Sequence, residues 1–180
     1  MKNNIIKNIF LLATLMLVVS CGGLKSSGSK GASASSSNLF ETFFVGDAGT
    51  QYFVKPIVFV NDDKEEIFVD FTFRYKNETS GMVDCKFSVV GPKVLKNIDN
   101  VVFSNGKTNA DFENISLLYN EVNKDLFISR FSSSTKLVDL KNLFNNNDWK
   151  IKVDNLKEFV PKSATRKYID KLQQSIFVLM

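Results

Sequence analysis

The chain has 180 residues, 23 of them basic and 19 acidic, and no histidine. The missing histidine excludes His-dependent triads, His-metal sites and His acid/base catalysis together. A net charge of +4, with no cluster of Lys and Arg, leaves no basic patch of the kind nucleic-acid binding needs.

Residues 1–20 fall into three zones. Lys2 and Lys7 make the start positive, Ile9–Val19 is apolar apart from Thr14, and Ser20 places a small residue before Cys21. A spanning helix needs roughly 20 apolar residues, about twice this run, so the segment reads as a secretory signal. Val18-Val19-Ser20-Cys21 resembles the lipobox of bacterial lipoproteins, with Val18 where that family more often has Leu. The resemblance implies Cys21 as the lipid-attachment residue. Its thiol would carry diacylglyceryl with palmitate-type chains, residues 1–20 would be removed, and the new amino terminus would usually be acylated. Two or three chains anchor stably, at about 0.8 kcal/mol per buried methylene, where one binds only marginally.

Residues 21–38 form the second region. From Gly22 to Asn38 the chain is Ser- and Gly-rich with almost nothing to bury, and it reads as a flexible tether. Its root-mean-square reach is roughly 20–25 Å. The abundance of Phe, Asn and Lys, taken with the lipobox and tether, resembles lipoproteins of spirochaetes such as Borrelia; other AT-rich Gram-negative bacteria share the pattern. Gly22 stands where some bacteria place the Asp that retains lipoproteins at the inner membrane, so the resemblance implies the outer membrane, on either its periplasmic or its outward side.

Residues 39–180 suffice for one domain with a real core. Without Lys2 and Lys7, 21 basic residues face 19 acidic ones, which is nearly balanced. Period-two alternation prevails. Gln51–Val60 is apolar on both parities and predicts a central strand, with Pro56 calling for an edge or a bulge. Asp62-Asp63-Lys64 predicts a turn. Ile67, Val69, Phe71, Phe73 and Tyr75 share one face of the next strand, and Val83, Cys85, Phe87 and Val89 repeat the pattern as its hairpin partner. Val101–Phe103 leads into Asn105-Gly106, which reads as a type I′ turn. Ile115–Glu121 and Leu126–Phe131 flank Asn123-Lys124 as a third hairpin. Leu137, Leu140, Lys141 and Phe144 predict a short helix capped by Ser132–Thr135 and ended by Asn145–Asn147. Trp149, Ile151 and Val153 predict a late strand. After Pro161, Tyr168, Leu172, Ile176 and Leu179 predict a carboxy-terminal helix docked on the sheet. The expected fold is α+β: an antiparallel meander closing into a sandwich or partial barrel.

Candidate chemistry is sparse. Asp62-Asp63 with Glu65-Glu66 lacks the order of a calcium loop and reads as a solvated turn. Gly46-Asp47-Ala48-Gly49 opens no helix and implies no phosphate cradle. Cys85 is the only other cysteine, so an acylated Cys21 leaves no internal disulfide; it reads as a small buried hydrophobe. Asp70, Asp84 and Asp111 could pair as catalytic acids only if the fold brought two together. No cofactor or metal is implied and no enzyme is expected. The expectation is a lipid-anchored envelope module that binds an unidentified protein or host molecule, with the membrane held through Cys21. An alternative is a carrier of an apolar ligand whose Phe-rich strand faces line a half-barrel; a hydrolase using paired carboxylates ranks below both.

Overall fold

The computed structural model describes residues 39–180; the signal, Cys21 and the tether lie outside the described residues. Ten strands and two helices follow in chain order: β1 (Phe40–Phe44), β2 (Thr50–Val60), β3 (Glu66–Tyr75), β4 (Met82–Gly91), β5 (Val101–Ser104), β6 (Asn109–Asp111), β7 (Glu113–Asn123), β8 (Leu126–Lys136), α1 (Leu137–Leu143), β9 (Lys150–Val153), β10 (Val160–Pro161) and α2 (Ser163–Ser175).

Seven strands make an open antiparallel sheet in the order β1-β2-β3-β4-β8-β7, with β10 also pairing β2; β6-β5-β9 make a second sheet. The meander is therefore interrupted. After β4 the chain leaves to build the small sheet, and β8 returns to pair β4 from Met82↔Lys136 to Gly91↔Phe127. The large sheet does not close into a barrel. The small sheet and both helices form a second layer over one of its faces.

Alternation selects that face. Ile67, Val69, Phe71 and Phe73 of β3, with Val83, Cys85, Phe87 and Val89 of β4, are all buried. The rings pack on one another. Phe71 meets Phe103, Phe112, Phe144 and Trp149 at centroid separations of 6.3–6.5 Å, and Phe177 lies 4.0 Å from Phe144 and 5.8 Å from Phe73. The Phe-rich face is thus a filled core.

Several local expectations hold, and others are corrected. Pro56 sits where the β2–β3 register shifts between Val54 and Ile57, a bulge that spares it from donating to the ladder. Asn105-Gly106 is not a type I′ turn, because only Gly106 has positive φ and Ser104 pairs Asn109 across four loop residues. Asn105 is buried instead: Nδ2 donates to the carbonyls of Asn142 and Leu143 at 3.0 and 3.1 Å, closing the end of α1. The Ser132–Thr135 run is not a helix cap but part of β8, and Lys136 precedes α1 without a side-chain bond. Serines fit the strand because the hydroxyls on its core side find backbone carbonyls: Ser133 donates to Cys85 and Thr135 to Asp111. The third hairpin turns one residue later than expected, since Asn123 pairs Leu126 and Lys124 takes φ 57°. The carboxy-terminal helix does begin after Pro161, at Ser163, and Pro161 itself ends the short strand β10. α2 buries Ile169 and Leu172, and Ile176 and Phe177 dock after it while Val178 stays exposed.

Candidate functional site

The opposite face of the large sheet carries Phe53 and Phe68 on β2 and β3 but is mainly polar along β4 and β8. Strand periodicity puts three cross-strand rows on it: Phe68, Ser88 and Arg130; Asp70, Lys86 and Ser132; Thr72, Asp84 and Ser134. Arg130 ties the first two rows together. Its Nη2 lies 2.5 Å from Asp70 Oδ1 and its Nη1 donates to Ser88 Oγ at 3.0 Å. β7 adds Asn114, whose Nδ2 donates to Ser134 Oγ at 3.2 Å, and Ser116, whose Oγ is 2.8 Å from Ser132 Oγ.

Short serine side chains between longer neighbours leave a shallow groove of about 470 Å³, bordered by Asp84, Lys86, Asn114 and Leu118 over Ser132 and Ser134. Its walls offer an ammonium, a carboxylate, an amide and hydroxyls, a set suited to hydrogen-bonding a polar ligand. β7, which forms one wall, is the sheet's edge. Two register shifts along it, between Glu113 and Ser116 and between Leu117 and Tyr119, interrupt the flat ladder that would otherwise invite edge pairing.

No protein-family model, curated protein or solved structure matches the chain.

The remaining candidates are dispersed. In the acidic turn, Asp63 pairs with Lys157 at 2.6 Å, Glu65 accepts from Asn61 Nδ2 at 2.8 Å, and Glu66 faces Lys162 at 3.8 Å. Among the described residues no group of three or more His, Cys, Asp or Glu side chains could hold a metal. Asp70 and Asp84 share the open face on adjacent strands, but Asp70 is engaged by Arg130, and Asp111 lies in β6 of the other sheet. Cys85 is fully buried, and burial pushes its thiol far above the ordinary range. Burial also pushes Tyr168 up to about 12; its hydroxyl donates to the Leu39 carbonyl at 2.8 Å. The open face escaped sequence reading because its parity was visible but its neighbours, β8 beside β4, were not.

One further surface stands apart. Phe43, Phe44 and Val45, at the tip of the β1–β2 hairpin, are 57, 78 and 42 % exposed, and Phe53 packs edge-on against Phe43 at 5.6 Å. Among the described residues no helix is long and apolar enough to cross a membrane.

Proposed function

We propose that the protein is a lipoprotein of a bacterial outer membrane, anchored through acyl chains on Cys21, that binds a polar protein or host ligand on the open face of its large sheet. The observation that carries the binding role is the contrast between the two sheet faces. One is filled ring against ring, while the other displays Asp84, Lys86, Asn114 and a serine floor over which, among the described residues, a groove of about 470 Å³ stays open. Such an arrangement favours recognition at a surface over carriage of an apolar ligand in an interior. The anchor reading rests on Val18-Val19-Ser20-Cys21 and on the tether after it.

Two measurements test this. Intact mass of protein from its native host should show a chain beginning at Cys21 and carrying diacylglyceryl; an unmodified thiol or an attached leader would remove the anchor. A photo-crosslinker placed at Lys86 in living cells should yield a discrete adduct that the same probe at exposed Lys167 of α2 does not. Identical patterns at both positions would count against the face.

A further inference from the structure

We infer that the β1–β2 hairpin tip is a second, non-covalent membrane contact, seating Phe43, Phe44 and Val45 in the interfacial layer of the bilayer that holds Cys21. The inference rests on the lipoprotein reading for its location, though not for its measurement.

Three observations choose lipid as the occupant. First, the tip is apolar on both faces. Alternation sends Phe43 to the open side, beside Phe53, and Phe44 to the core side beyond the last packed ring, and Val45 follows at the turn. A protein partner would cover one face of a strand; immersion covers both. β7, the other edge, also exposes Leu117, Leu118 and Tyr119 in succession, but less fully, at 38, 48 and 51 %, and in mid-strand between Ser116 and Asn120 where no turn presents them end-on.

Second, three of the turn's backbone donors are satisfied within it. Val45 N donates to the Gly49 carbonyl at 2.9 Å, Ala48 N to Val45 at 3.2 Å, and Gly49 N to Gly46 at 3.0 Å. Those donors have little to lose on leaving water. The tip is also held stiffly against β3. A Cβ at Gly49 would stand 2.3 Å from the Tyr75 carbonyl, so the two backbones are in direct contact. A preformed wedge loses little conformational freedom on insertion.

Third, the distances agree. Leu39, where the tether ends, is fixed by the Tyr168 hydroxyl at 2.8 Å and by Lys55 N at 3.0 Å. The tip lies at the far end of the five-residue β1, roughly 17 Å away along a strand. The reach that the composition of residues 22–38 predicts, roughly 20–25 Å, would let an anchored chain bring the tip to the bilayer. Asp47 in the turn and Lys76 beside Gly49 keep the local charge balanced and the insertion shallow, so anionic lipid is not required.

The test uses the mature-length chain from residue 21 with Cys21→Ala, so that no acyl group contributes. Vesicles of pure phosphatidylcholine and of phosphatidylethanolamine with phosphatidylglycerol are the probes. The chain should cosediment with both, with little dependence on salt. Phe44→Ser, at a position too exposed to endanger folding, should lower partitioning roughly tenfold or more. A Phe44→Trp reporter should shift to the blue on vesicle addition and be quenched by brominated lipid, over an unchanged Trp149 background. Equal partitioning of the parent and Phe44→Ser, or an unmoved reporter, would overturn the inference. So would a hairpin-dependent dimer in sedimentation velocity without vesicle binding, which would give the tip to a second copy. Loss of the covalent anchor is read separately, by the mass at Cys21.

Discussion

Arg130 on β8 reaches across β4 to Asp70 on β3, and the pair is the most sheltered ion pair described, with side chains only 17 and 20 % exposed. It ties β8 to the β3–β4 hairpin across sixty residues of chain. Exposed pairs contribute about 0–1 kcal/mol and loss of one partner from a fully buried pair costs about 3–5 kcal/mol. Arg130→Met should therefore destabilise by about 1–3 kcal/mol in urea unfolding. An unchanged midpoint would mean that the pair merely decorates the face.

Asn105 links a turn to a helix end. Its Oδ1 accepts from the Lys107 and Thr108 amides at 3.0 and 2.9 Å while its Nδ2 serves two α1 carbonyls. Asn105→Ala would remove these four bonds at once, although the Leu143 carbonyl keeps Trp149 Nε1 at 2.8 Å, and should cost about 2–4 kcal/mol. Asp, which keeps the acceptor but cannot donate to the carbonyls, should rescue little. Near-wild-type stability of Asn105→Asp would show that α1 closes without it.

Gly46 and Gly49 both have positive φ, 57° and 89°, but only Gly49 lacks room. Gly46→Ala should cost about 1 kcal/mol from conformation alone. Gly49→Ala adds a clash with the Tyr75 carbonyl and should cost clearly more, about 2–4 kcal/mol, with amide exchange rising first in β1. Equal effects would show that the hairpin shifts freely away from β3.

Cys85 offers a pH signature. Its thiol stays protonated in the folded protein well above the pH at which an unfolded one ionises. Its contribution is fully present below roughly pH 8.5 and is lost as pH rises toward the folded value, at up to about 1.4 kcal/mol per pH unit. Cys85→Val should flatten the alkaline limb of the stability curve. The native thiol should also resist Ellman's reagent until the protein unfolds; immediate reaction would contradict its burial.

Local pattern made the strands around Ile67–Tyr75 and Val83–Val89 readable, because parity alone decides which side chains can leave water. The same holds for α2, whose apolar repeat can be satisfied only by docking, and for the bulge at Pro56, which no ladder could accommodate. Misreadings arose where a residue's partner lies far along the chain. Asn105 does lie in a turn, but its bond to α1, thirty-seven residues on, which buries it and changes the turn's form, is invisible in sequence. Ser132–Thr135 reads as a cap because the strand it pairs with, β4, lies forty-eight residues back where Ser133 meets Cys85.

Sequence alone determined which segments alternate, that one face of them must be apolar, and that no histidine chemistry is available. The resemblance at Cys21 likewise comes from sequence alone. Only the tertiary structure decided that the chain leaves the meander after β4, that β8 rather than β5 pairs β4, and hence that Arg130 meets Asp70 and serines floor an open groove. Alternation is a property of neighbouring residues and so is written locally. Strand order is a competition between distant surfaces for the same apolar face, and it is settled only when the Phe71 layer finds the rings that fill it.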